Sequence, residues 1–133
     1  MDGLGLLPAL MPELEPARGS SQPGLHVWDV LTHSIKTVSA AEFLLRESVW
    51  DYAGLEILSI VPWSEELERH FAQEISSGSS RKTLLKLAVL LHDVAKPVTK
   101  SIDASGRVRF LGHPQEGAAT AAAIMSRLRF SRL

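Results

Sequence analysis

Near the end of the stretch LLKLAVLLHDVAKP (residues 84–97), His92 and Asp93 stand side by side where the helical spacing of leucine and valine asks for further apolar side chains. An imidazole nitrogen next to a carboxylate oxygen suits a divalent first-row metal ion. Lys96 follows Asp93 by three residues and His92 by four, so its ammonium can lie near whatever the pair holds, and a lysine there suits the phosphate that such an ion polarises. The chain has no cysteine, so a metal must be held by histidine and carboxylate alone. On a helix His92 and Asp93 are about 100° apart and share an ion only if it lies against that face.

Further ligands must come from elsewhere in the chain. In HVWDVLTHSIKTVSAAEFLLRE (residues 26–47), Val30, His33, Thr37, Val38, Ala41, Leu44 and Leu45 form one stripe, which turns His33 inward and makes it the natural candidate. Asp29, one turn earlier, either orients that imidazole or faces solvent. His26 and His113 each have ordinary uses in loops or helix caps, and His70 lies in an acidic amphipathic segment that reads as a solvated surface. Asp103, in DASG, is expected to serve a turn. A lone histidine on an apolar stripe is more often a hydrogen-bonded core residue, and Lys96 alone suits the negative end of a helix dipole. Only the combination points to a site.

The elements that must position these residues are mostly helices. GLLPALMPELEPARG reads as one short helix or two broken turns, followed by a loop through SSQPG. The stripe around His33 predicts a long helix, whereas VWDYAGLEILSIVPW is punctuated by glycine and proline. SEELERHFAQEI opens on a capping Ser64 and ends in SSGSS, a flexible polar link. The next helix starts near Ser80 or Arg81 and runs to Pro97 with the His-Asp pair at its inner end. Beyond it, Val98 to Ile102 and Arg107 to Leu111 predict a short hairpin around DASG. A final helix begins at His113, in a capping position, with Pro114 at its first position and Glu116 at its third. Long strands alternating with helices are absent, which predicts an all-α domain with one short β-hairpin.

At 133 residues the chain is long enough for one domain and short for two. No apolar run approaches the ~20 residues that span a bilayer, and the first residues lack the basic start of a signal peptide, so a cytoplasmic location is expected. The net charge of −1 hides a division. Residues 1–80 hold four Lys/Arg against twelve Asp/Glu, and residues 81–133 hold ten against three. The basic half, which carries the His-Asp pair, suits an anionic partner such as a phosphate or a nucleic-acid backbone; the alternative is that the two halves neutralise each other across the fold.

PELEPARG followed by a glutamine, H..DVLTHS, LLKLAVLLHDVAKP, GRVRFLGHPQEGA and RLRFS occur in an order and spacing that resemble the HD domain of bacterial tRNA nucleotidyltransferases and poly(A) polymerase-like proteins. The resemblance covers nearly all of the chain from about Leu6, with a weak middle between residues 48 and 80. It implies an all-helical HD bundle and membership of a superfamily of metal-dependent phosphohydrolases. It assigns His33, His92 and Asp93 to a divalent ion (Mn, Fe, Mg, Zn, Co or Ni), Lys96 to a phosphate, and His113 to the pocket beside them. His26 matches a histidine ahead of the first ligand helix, where the family often has another in place of Val27. The implied partner is a phosphate-containing small molecule or RNA.

Two departures qualify the resemblance. The family's usual last ligand, an aspartate on a later helix, has no counterpart before Leu133, so the site either has three protein ligands plus water, recruits Glu116 or His113, or binds metal poorly. The resemblance implies a nucleotidyltransferase head ahead of such a domain, and residues 1–133 do not include one. The expectation is therefore a single HD domain over residues 1–133 that lacks the last helices, either a fragment of a longer protein or a stand-alone remnant. The function that the resemblance implies is metal-dependent hydrolysis of a nucleotide or RNA-end phosphoester. The alternatives are a non-catalytic RNA- or nucleotide-binding module, and a structural domain that covers its open face as a homodimer.

Overall fold

Helices dominate because apolar residues recur at three- and four-residue spacing, and they are short because prolines and glycines interrupt them. The structure, a computed structural model, describes residues 5–24, 26–76 and 78–130. Among these residues are α1 (Leu6–Leu10), a 3-10 helix (Pro12–Ala17), α2 (Val30–Leu44), α3 (Glu56–Ile60), α4 (Glu65–Ala72), β1 (Glu74–Ser76), β2 (Ser79–Ser80), α5 (Arg81–Leu91), α6 (Lys96–Thr99), β3 (Lys100–Ile102), β4 (Val108–Phe110) and α7 (His113–Arg127). This is the mostly α architecture that the sequence predicts. The chain divides into two units, one built from residues 1–34 and 91–133 and the other from residues 35–90.

In the first unit, Leu14, Ala17, Val30, Leu31, Leu91, Val94, Ala95 and Ile124 are buried. The helix α6 lies against α7, β4 and the 3-10 helix. Gly117 of α7 is buried and faces Val94 and Ala95, so the final helix approaches the segment after α5 closely. The hairpin pairs Lys100 with Phe110, Ser101 with Arg109 and Ile102 with Val108. Asp103 closes its turn: Oδ1 accepts the Ser105 amide and hydroxyl and the Arg107 amide, and Oδ2 accepts Arg109 Nε at 2.9 Å.

In the second unit, Ala41, Phe43 and Leu45 are buried, and Phe43 meets Trp50 at 6.1 Å between ring centres. Arg46 ends α2 with a φ of 61°, a conformation that L side chains adopt at some cost. Its guanidinium donates to the carbonyls of Leu44, Leu58 and Val61 and lies over the Trp63 ring. Trp63 in turn stacks on Phe71. The hydroxyl of Ser64 accepts the Leu67 amide and caps α4, as its sequence signature predicts.

Two elements differ from the sequence reading. The SSGSS segment, expected to be a flexible link, contributes to a second hairpin, β1–β2. There Glu74 pairs with Ser80, Gly78 supplies a φ of 75°, and the Gly78 amide donates to the Glu74 carboxylate. The helix expected to run to Pro97 stops at Leu91. Beyond it, Val94 N–H bonds the Leu91 carbonyl and Lys96 N–H the Asp93 carbonyl, both three residues back. The chain turns over residues 92–95 and restarts as α6, with Pro97 in its first turn, where the missing N–H is tolerated. His92 and Asp93 therefore lie on a turn and not on a helix face.

Candidate metal centre

Asp93 is the fixed point of the site. The turn between α5 and α6 carries it, only 3% exposed, into the first unit between Leu91 and Val94. Around its Oδ2 stand Lys96 Nζ at 2.8 Å, His92 Nε2 at 3.0 Å and His33 Nε2 at 3.6 Å. His113 Nε2 is 3.9 Å from Oδ1. Burial alone raises the pKa of such a carboxyl, but the close imidazole of His92 and ammonium of Lys96 outweigh it and hold Asp93 at about 2, so it is a carboxylate at neutral pH.

His33 reaches this point because Asp29 starts α2 in the right register. Asp29 Oδ1 accepts the Thr32 amide at 2.7 Å, and Oδ2 accepts the Gly19 amide at 2.9 Å. The aspartate therefore caps the helix and ties down the preceding loop. His33 has its pKa lowered, first by burial and further by His92, His26 and Lys96, against the opposing pull of Asp93. A neutral imidazole is the form that ligates metal.

His113 is the first residue of α7, and Gly112, not the histidine as expected, occupies the capping place. Its Nδ1 lies 2.7 Å from the Phe110 carbonyl. A carbonyl only accepts, so Nδ1 carries the hydrogen, and in the neutral ring Nε2 presents a lone pair on the Asp93 side.

His33, His92 and Asp93 each offer one ligand atom, and all three atoms lie within 4.8 Å of one another. Atoms bound at ~2.1 Å to one ion sit about 3–4 Å apart, so these residues lie close enough to hold a metal. Asp93 Oδ2 is buried and receives no aligned hydrogen bond among the described residues despite its close cationic neighbours. An acceptor in that condition fits an ion, and two imidazoles with a carboxylate suit a divalent first-row metal.

The structure also places the other candidates. The His26 ring is exposed and meets His33 edge-on at 5.3 Å between ring centres. Glu116 is exposed on the first turn of α7 and is not part of the three-residue donor group. His70 belongs to the second unit, where it is exposed and its ring nitrogens meet Arg81. Lys96, read from the sequence as facing phosphate, has a side chain only 12% exposed. It bonds Gln22 Oε1 at 2.6 Å and lies over the Phe110 ring. Sequence reasoning gave no role to Gln22 or Phe110; the one signal was the glutamine following PELEPARG.

A helical fold with a histidine on one helix and a His-Asp pair on a distant turn, all directed at one point, defines a metal-binding helical domain of the His…His-Asp type. The HD domain family model matches residues 30–133, and the chain belongs to that family. Two relatives are tRNA nucleotidyltransferases. The CC-adding tRNA nucleotidyltransferase of Thermus thermophilus is 33% identical over 133 residues, covering 99% of this chain and 23% of that protein. The A-adding tRNA nucleotidyltransferase of Deinococcus radiodurans is 31% identical over 130 residues, covering 97% of this chain and 22% of that protein. The chain thus spans less than a quarter of the length of these relatives. No solved structure matches it significantly. Among the described residues, no helix is long and apolar enough to cross a membrane.

Proposed function

We propose that this chain is one HD domain that hydrolyses a phosphoester of a nucleotide or an RNA end, with His33, His92 and Asp93 as the ligands of a divalent ion. The observation that carries the reading is the meeting of these three ligand atoms within 4.8 Å at a buried carboxylate. The ion would supply Lewis acidity toward a phosphoryl oxygen and a water of lowered pKa. Asp93 and the neutral His33 hold the charge and lone pairs that such an ion requires. The Lys96 ammonium donates to Gln22 and lies 2.8 Å from Asp93 Oδ2, and its remaining N–H groups serve the charge developing on a phosphoryl oxygen. His113, fixed through Nδ1, moves a proton at Nε2. The anionic class of substrate agrees with the basic composition of residues 81–133, and the setting is cytoplasmic.

Elemental analysis of the purified protein beside His92→Ala and Asp93→Ala, after Mn, Fe, Zn and Mg are offered in turn, tests the reading. One metal per chain in the parent, lost in both variants, followed by turnover in a phosphatase and phosphodiesterase screen, is expected. Failure of the parent to take up any of these metals would sink it.

A second reading is a non-catalytic RNA- or nucleotide-binding module. It is favoured by the tRNA nucleotidyltransferase names of the relatives and by the three-residue donor set, which includes no second carboxylate. It predicts binding that weakens steeply with salt, without turnover.

A further inference from the structure

Gln22 is buried to 9% exposure in a loop of otherwise exposed residues, Ser21 and Pro23 beside it. The loop is fastened at the three residues just ahead of it. The Val30 amide bonds the Ser20 carbonyl, the Asp29 carboxylate holds the Gly19 amide, and Lys100 Nζ donates to the Ser21 carbonyl and hydroxyl. What this delivers is a carbonyl: Gln22 Oε1 accepts Lys96 Nζ at 2.6 Å. An ammonium only donates, so the atom facing it must be the amide oxygen. The other end, Nε2, is buried with no acceptor among the described residues. An apolar residue of the same size would avoid stranding an amide donor, so the reason to bury a glutamine lies in the contact with Lys96.

Lys96 Nζ also lies 2.8 Å from Asp93 Oδ2, the oxygen that His92 and His33 approach. Ammonium and divalent ion therefore compete for one oxygen. If Asp93 were the only acceptor for the buried ammonium, the ion would gain Oδ2 only by leaving a buried charge without a partner. Gln22 provides the alternative.

We infer that Gln22 is the positioning residue of this site: its side-chain carbonyl holds the Lys96 ammonium, so that Asp93 Oδ2 is released to a divalent ion while the ammonium stays beside it. The inference rests on the metal-site reading and adds to it a determinant of metal affinity outside the ligand set.

The test is a double-mutant cycle read by Mn2+ titration calorimetry on the full chain, with Gln22→Leu, Lys96→Met and the double variant. Gln22→Leu is expected to weaken Mn2+ binding about tenfold. Lys96→Met removes the competing charge and tightens it. In the Lys96→Met background, Gln22→Leu has no further effect. Equal binding by Gln22→Leu and parent, or the same loss in both backgrounds, overturns the inference, the second outcome marking a general loss of structure. A metal-independent readout separates it from the metal-site reading. The Lys96 ammonium is expected to give a slowly exchanging NMR signal in the parent that disappears in Gln22→Leu and returns in Gln22→Glu. If the signal behaves this way but the parent takes up none of Mn, Fe, Zn and Mg, Gln22 holds the lysine and the metal reading fails, and the release of Asp93 to an ion fails with it. If the signal is unaffected by Gln22→Leu, the positioning role fails whatever the metal does.

Discussion

His33 Nε2 and Asp93 Oδ2 lie 3.6 Å apart although they come from opposite arms of the chain, one on α2 and the other on the turn after α5. Asp93 is also the buried counter-charge of Lys96, whose side chain is only 12% exposed. Asp93→Ala is therefore expected to cost stability as well as metal, by about 3 kcal/mol, because it leaves a largely buried ammonium with one neutral acceptor. Asp93→Asn should cost less while still abolishing metal uptake. Urea unfolding of the two variants, combined with metal analysis, checks both parts.

Gly117 of α7 is buried, yet a Cβ built there meets Ala95 Cβ at 3.8 Å and the His92 carbonyl at 3.9 Å, which is ordinary contact. Gly117→Ala is expected to raise stability by about 0.5–1 kcal/mol through helix propensity, with metal uptake unchanged. Gly117→Leu has no such room. It should push the His92–Ala95 turn away and lose metal together with stability, as thermal melts and metal analysis would show.

Asp103 is held at about 2, first by the Ser105 hydroxyl and then by the Arg107 amide and the Arg109 guanidinium. Its folded pKa lies below the ordinary 3.8, so its contribution to the hairpin is complete above that value and disappears as pH falls through about 2. A carboxyl-carbon NMR titration should place its midpoint near the lower figure. Arg109→Gln should raise that midpoint.

Arg46 combines a left-handed backbone with a guanidinium that satisfies three carbonyls and covers Trp63. Arg46→Ala keeps the backbone cost and loses the contacts, and is expected to destabilise by about 2 kcal/mol. Arg46→Gly should recover about 1 kcal/mol of that by relieving the backbone. Denaturant unfolding of the pair separates the two terms.

The sequence made His33 legible through helical periodicity, since Val30 and Ala41 on the same stripe are buried as expected. Asp103 was legible because DASG turn chemistry is local. Gln22 was not, because its bond to Lys96 joins a loop to the start of α6, distant in sequence, and no spacing rule links such positions. The His92–Asp93 turn was hidden for a different reason. The apolar spacing continues through Val94 and Ala95, both buried, so periodicity runs on past Leu91, where the helix ends. The pairing of Glu74 with Ser80 escaped notice because serine and glycine carry little strand propensity.

The chain leaves the first unit after Ser34 and returns to it at Leu91, immediately beside His33 and His92. An ion held by both histidines would therefore act as a cross-link across the neck of the whole 35–90 segment. Closing a loop of that length removes unfolded-chain entropy worth on the order of 4 kcal/mol, in the manner of a disulfide. The segment that contributes no ligand would then be stabilised by the metal, and its amide hydrogen exchange should slow when the metal binds.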